Sequence, residues 1–398
     1  MTRAQIDKPP TVYSFSTARR IVAGARSLDT IGTLAKSICE DVRRVLIVTQ
    51  PSMTKNGAAA RTAALLAAEG IEAVVRTGIR PEPTQENIES FHRALDGESF
   101  DAYIGLGGGS VLDATKLLAV LRTNAGGIEG MLGADRVRCA GLPTLLVPTT
   151  SGTGSEVTPN AIVTLPEQEL KVAAVSSHLL PAAAILDPEL TLGLPDAITA
   201  ATGMDAFTHA LESYLSNKAN PMSDMFALES MRRISRGIIR AYRHGDDLAA
   251  REDMLIGSMY GGMALTGAGT AAVHALAYPL GGKFGIAHGV ANAMLLRHVM
   301  EFNMDAIQDR MRPVAQAMGI PGADDAESEA LAERVVDRIS SWTEQLRIPQ
   351  DLSAYGIAER DIPELAAAAS KVTRLLQNNP KPVSVGDMER MYRRLLPR

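Results

Sequence analysis

Asp205 and His209 lie four residues apart in ATGMDAFTHALESY, and His274 and His288 lie fourteen apart in VHALAYPLGGKFGIAHG. Three of the chain's seven histidines fall in this set. One carboxylate and three imidazoles make a donor set for a divalent ion, and Fe2+ and Zn2+ both suit it. Residues i and i+4 of a helix share a face, so Asp205 and His209 can address one point. A four-ligand ion that expands to take a substrate oxygen would polarise a carbonyl or stabilise an alkoxide. A lone histidine in an apolar segment is more often a hydrogen-bonded core residue. Four candidates in two compact motifs outweigh that reading. Glu212 is close to the same helix face and is expected behind the ligands or facing solvent. His92, His178, His244 and His298 have no comparable context. His244 is expected in a surface loop, and His298 in the core or on the surface.

Two further strings suit a dinucleotide. GGGSVLDATK (residues 107–116) follows a strand and opens a helix. Its glycines allow close backbone approach, and a helix N-terminus offers free N–H groups to an anion. It is not the G-x-G-x-x-G fingerprint, so a standard Rossmann turn is not expected. PTTSGTGSEVTPN (residues 148–160) is dense in hydroxyls and glycines that can hold ribose and phosphate oxygens. Both follow the carboxyl ends of expected parallel strands, where open α/β sheets bind ligands. Read blandly, they are a tight turn and a flexible surface loop. Two such loops at one sheet edge make that less attractive.

The elements that would position these residues alternate at first. VLIVT (45–49), EAVV (72–75), the segment before Gly107, and TLLVPTT read as strands, with AARTAALLAAEG, ENIESFHRALDG and VLDATKLLAVLRT as helices between them. This order predicts a parallel sheet with helices on its faces. AIVTL and LKVAAV read as a hairpin-like pair, and AAILDP (183–188) as the last strand. After Pro195 every long segment has helical periodicity. The expected fold class is α/β plus all-α: a Rossmann-like dinucleotide-binding domain over residues 1–194, then a helical metal-binding domain over 195–398.

At 398 residues the chain exceeds what one core usually serves, in line with two domains. Its net charge of −5, with both signs interspersed and no basic run, argues against nucleic acid as a partner. Cys39 and Cys139 are the only cysteines, too few for a disulfide framework. The opening MTRAQIDKPPTVYSF has no apolar segment typical of a signal peptide, and the apolar runs are too short to span a bilayer. A cytoplasmic protein with no membrane partner is expected.

GGGSxxDxxK, PTTxGTGSExT, GxDAxxHxxE and the HxxxxP…HG block, in this order over nearly the whole chain, resemble the iron-containing (group III) alcohol dehydrogenases. The resemblance implies a metal-dependent oxidoreductase that moves a hydride between a nicotinamide cofactor and a small alcohol, aldehyde or ketone, with cofactor and metal in an interdomain cleft. It implies Asp205, His209, His274 and His288 as metal ligands. The pyrophosphate would lie on Gly107, Gly108, Gly109 and Ser110, with Asp113 supporting the turn. Thr149, Thr150 and Thr153 would line the nicotinamide side, Lys171 would face its ribose, and Asn160 would lie near the substrate. A homodimer or larger homo-oligomer is implied. Gln50 stands where many relatives carry an acid that disfavours NADP, so NAD is expected and NADP stays open. Tyr278 stands where several relatives have a histidine, as a proton donor to the alkoxide or as pocket wall. Met263, Leu265 and Leu276 are expected as an apolar wall favouring small, partly apolar substrates. A dehydroquinate-synthase-like lyase using NAD and zinc needs more cations than Lys283 in the metal block. A maleylacetate-reductase-like enzyme would tend to lack the full ligand set.

Overall fold

The computed structural model describes residues 12–168 and 170–397. The leading MTRAQIDKPPT, part of the stretch expected not to be a signal peptide, lies outside them. Among the described residues, nine strands are β1 (Ile21–Ala23), β2 (Arg44–Thr49), β3 (Glu72–Thr77), β4 (Ala102–Gly107), β5 (Gly133–Ala134), β6 (Thr144–Pro148), β7 (Asn160–Leu165), β8 (Leu170–Val175) and β9 (Ala183–Leu186). Between them run α1 (Ile31–Ile38), α2 (Pro51–Lys55), α3 (Ala58–Ala68), α4 (Gln85–Arg93) and α5 (Gly109–Leu121). The long helices then begin: α6 (Asp196–Leu215), α7 (Pro221–Arg243), α8 (Leu248–Ala268), α9 (Ala272–Phe284) and α10 (His288–Ile307). Five more helices follow: α11 (Met311–Ala317), α12 (Ser328–Gln345), α13 (Ile362–Ser370), α14 (Thr373–Leu376) and α15 (Val385–Arg393).

Six strands form a parallel sheet in the order β1-β9-β6-β4-β2-β3. Its central strands are near-continuous apolar runs because both faces are covered. Leu46, Val48 and Tyr103 point to one core, while Val45, Ile47 and Ile104 point to the other, the period-2 alternation of a strand. β1 was not legible in the sequence, since three residues carry no periodic signal. The expected hairpin is present: β7 and β8 pair antiparallel from Asn160↔Val175 to Leu165↔Leu170, and β5 joins them as a third strand.

The chain leaves β2 for β3 at the sheet's edge and returns to β4 on the other side of β2. This reversal opens a crevice at the carboxyl ends of β2 and β4. Gln50 follows β2 there, and the glycine run ends β4 there. In the helical part, α6 buries nearly every residue from Thr199 to Leu215 among α7, α8 and α10. Phe207 meets Trp342 of α12 edge-on, ring centroids 5.0 Å apart. Among the described residues, no helix is long and apolar enough to cross a membrane.

Candidate active site

Asp205 and His209 project from α6 one turn apart, His274 from the first turn of α9, and His288 from the first residue of α10. A backbone contact sets the last of these. A Cβ on Gly289 would lie 2.2 Å from the Ala201 carbonyl oxygen, so only glycine lets α10 start against α6. The Nε2 atoms of His209, His274 and His288 stand 3.8, 3.7 and 3.7 Å from Asp205 Oδ1. One ligand atom from each of the four falls within 4.8 Å of the others. A tetrahedral ion with bonds of about 2.1 Å needs donors about 3.4 Å apart, so the set fits a divalent cation.

The surroundings keep these donors in their ligating forms. Burial pushes His288 down to about 3 and also lowers His209, so both rings are neutral. Burial works to raise the Asp205 carboxyl, but the neighbouring imidazoles of His209, His288 and His274 and the Asn292 hydrogen bond hold it below its ordinary value. Glu212 does not face solvent: it is 1% exposed and lies 2.6 Å from His274 Nδ1. Its oxygens also accept from the Ala271 and Val273 N–H groups. A carboxylate there puts the ring proton on Nδ1 and turns the Nε2 lone pair toward the other ligands.

Asn292 was missed in the sequence. It lies one turn beyond His288 on α10, and that i+4 spacing is the signal that could have found it. Its Nδ2 donates to Asp205 Oδ1 at 2.7 Å and stands 3.1 and 3.2 Å from His274 and His288 Nε2.

The glycine run lies at the start of α5, whose N-cap, Gly108, has no side-chain cap. A Cβ on Gly109 would lie 2.4 Å from Thr153 Cγ2, so the hydroxyl-rich loop sits directly against the turn. Thr150 packs over Gly108, and Thr149 N donates to Gly107 O at 3.0 Å. Thr149 Oγ1 is buried with no hydrogen-bond partner among the described residues. Gln50 Oε1 faces Gly108 N across a long 3.5 Å. Ser110 Oγ accepts from Glu82 N, and Glu82 Oε1 reaches both Lys171 Nζ at 2.8 Å and His288 N at 3.2 Å. Asp113 holds the following loop rather than the turn itself, accepting from Ser155 Oγ and Ile162 N. Lys116, which has no role in the sequence reading, is buried and donates to the carbonyls of Ser155, Thr158 and Asn160.

A cavity of about 290 Å³ joins the two halves, lined by Asp205, His209, His274, His288, Asp113, Thr153, Asn160 and Tyr278. A second, of about 140 Å³, adds Gly109, Ser110, Glu82 and Lys171 and shares Tyr278, His288 and Thr153 with the first. Tyr278 is buried, 5.9 Å from His288 between ring centroids, and burial raises its hydroxyl above the ordinary tyrosine value. Of the expected apolar wall only Leu265 lines this space; Met263 and Leu276 are packed into hydrophobic clusters. α8 and α9 are packed on nearly all sides, so these two side chains meet neighbouring elements instead of the cavity. His298 is half-buried on α10, and His244 is exposed beyond α7.

A dinucleotide-type sheet crevice facing a His3Asp donor set defines a metal-dependent nicotinamide oxidoreductase. The family model for iron-containing alcohol dehydrogenase matches residues 18–188, and that for the C-terminal part of the Fe-containing alcohol dehydrogenase family matches 199–396. The chain belongs to this family, and it is an enzyme with alcohol oxidoreductase activity. Long-chain-alcohol dehydrogenase 1 of Geobacillus thermodenitrificans is 40% identical over 354 residues, 88% of this chain and 89% of that protein. The crystal structure of a 1,3-propanediol oxidoreductase superposes with a TM-score of 0.92 at 32% identity, covering 97% of this chain and 100% of that one. A sulfoacetaldehyde reductase from Bifidobacterium kashiwanohense, solved in complex with NAD+, gives 0.85 at 26% identity, covering 97% and 99%.

Proposed function

We propose that this chain interconverts a small alcohol and its aldehyde or ketone with NAD, using Fe2+ held by Asp205, His209, His274 and His288. The observation that carries this reading is the convergence of those four donors on the cavity that continues to the glycine turn. A bound divalent ion would supply Lewis-acid polarisation of the substrate oxygen, and bound nicotinamide would supply the hydride acceptor or donor.

The remaining work falls to side chains. The free N–H groups at the start of α5, with Gly107, Gly108, Gly109 and Ser110, would receive the pyrophosphate. Asp113 and Lys116 fix the loop whose Thr149, Thr150 and Thr153 would line the nicotinamide side. Lys171, buried beside Glu82, would face the ribose, and Asn160 would lie toward the substrate. Tyr278 stays protonated at neutral pH and donates a hydrogen bond to the developing alkoxide, passing the proton onward as the alcohol forms. Gln50 would lie toward the adenosine ribose; the NAD+ complex of the Bifidobacterium relative favours NAD, and a neutral side chain leaves NADP as a weaker alternative. Zn2+ suits the same donor set and is the alternative ion.

We also propose a homodimer or larger homo-oligomer. Val12, Tyr13, Met222 and Met225 are exposed, and Phe15 stacked on Phe226 brings their two segments to one side of the molecule. A division near Leu194 separates the cofactor part from the metal part, and the cytoplasm is the expected compartment. The test is nicotinamide-linked turnover by wild type and His274→Ala, before and after chelation. The reading expects turnover that chelation abolishes, Fe2+ restores in wild type, and the variant lacks. Unchanged activity in both would reject it.

A further inference from the structure

We propose that the substrate bears a carboxylate at the end remote from its reacting oxygen, and that Arg374 and Lys218 hold that carboxylate. The inference rests on the dehydrogenase reading and narrows its substrate class to short ω-hydroxy acids and the corresponding aldehyde acids.

Both cations line the same cavity of about 290 Å³ as the four candidate ligands. They come from opposite ends of the helical sequence, yet one network fixes them together. Lys218 follows Asn217, whose N–H donates to Asn378 O at 2.8 Å and whose side chain donates to Asn379 O at 2.6 Å. Asn378 follows α14, the short helix that carries Arg374, and its Nδ2 donates to Thr270 O at 2.8 Å. Ser216 Oγ, two residues before Lys218, donates to Ala268 O at 2.7 Å. The segments at 216–220, 266–270 and 374–379 therefore form one wall with two positive side chains on it.

The charge balance of that wall is one-sided. The carboxylates lining the cavity are Asp113 and Asp205. Asp113 is engaged by Ser155, Ile162 N and Lys116, and Asp205 belongs to the donor set. Arg374 and Lys218 form no ion pair or side-chain hydrogen bond with any described residue, whereas arginines elsewhere on the surface, such as Arg236 and Arg240, are paired. Arg374 is near enough for its charge to act on the Tyr278 hydroxyl. Tyr278 is itself one helical turn, roughly 6 Å of rise, beyond His274. An oxygen at the donor set and an anion at Arg374 would thus share one cavity of about 290 Å³. A guanidinium matches a carboxylate with two parallel hydrogen bonds. Leu265 supplies an apolar side for the methylenes between.

The experiment compares 4-hydroxybutyrate with 1,4-butanediol, its neutral counterpart, on the metal-loaded full chain. Wild type should prefer the acid. In Arg374→Gln and in Lys218→Gln the ratio of kcat/KM for acid over diol should fall, by roughly 10–100-fold for the arginine, the loss expected when a charged group's hydrogen bonds are removed. Arg374→Lys should recover part of the ratio. Arg374→Glu should turn the preference toward 4-amino-1-butanol. Turnover of the diol with a ratio unmoved by these substitutions would overturn the proposal and leave the dehydrogenase reading standing. No nicotinamide-linked turnover of either alcohol would overturn both.

Discussion

The side-chain amide of Asn292 stands 2.7 Å from Asp205 Oδ1 and within 3.2 Å of two imidazole Nε2 atoms. It holds the Asp205 oxygen from α10, and a carboxylate oxygen that accepts one hydrogen bond keeps a second lone pair for an ion. Asn292→Leu keeps the volume and removes that hydrogen bond. We expect metal affinity to fall roughly 10–100-fold, the usual cost of losing a hydrogen-bond partner of a ligand, with little change in melting temperature of the chelated protein. Competition against a chromophoric chelator measures it. Wild-type affinity in the variant would reduce Asn292 to a packing residue.

Glu212 acts on His274 from the other side. Glu212→Gln keeps one acceptor for the α9 backbone amides but weakens the pull on the Nδ1 proton. Metal affinity should again fall by about 10–100-fold, and additively smaller effects are expected when it is combined with Asn292→Leu, because both act on one ligand set. Titration calorimetry with Fe2+ or its surrogate Zn2+ provides the reading.

Tyr278→Phe removes a proton donor without opening space. A positioned general acid contributes about 100–10,000-fold, so kcat should drop by at least about 100-fold while NADH binding, followed by fluorescence, stays the same. Equal kcat in the variant would leave Tyr278 as cavity wall.

Glu156 gives a pH-dependent stability. It is 2% exposed, its Oε1 has no hydrogen-bond partner among the described residues, and burial raises it from 4.5 to about 7. Between those values the folded protein holds the proton that the unfolded chain has lost. Its contribution is therefore complete below pH 4.5 and is lost as pH rises through 7. At about 1.4 kcal/mol per unit this amounts to about 3 kcal/mol. Thermal melts at pH 5 and pH 8 should show Glu156→Gln gaining on wild type at the higher pH. A gap that does not change with pH would contradict this account.

The parallel sheet and the long helices were legible because their signals are local: continuous apolar strands, a 3.6-residue period, and glycines at strand ends. The clustering of the four donors was legible because each pair lies within one motif, Asp205 with His209 and His274 with His288. What was not legible depends on packing between distant segments. Glu212 and Asn292 are ordinary helix residues until α6, α9 and α10 meet. Met263 and Leu276 are apolar helix residues like Leu265, yet face the interior because these helices are enclosed on nearly all sides. Arg374 and Lys218 are more than 150 residues apart, and only the Asn217 and Asn378 hydrogen bonds bring their segments together.

Anomalous diffraction at the iron edge from crystals of protein loaded with Fe2+ under anaerobic conditions addresses the centre of the account. It predicts one anomalous peak per chain within bonding distance of Asp205 Oδ1 and the Nε2 atoms of His209, His274 and His288. A peak elsewhere, or none in crystals of fully active enzyme, would contradict it.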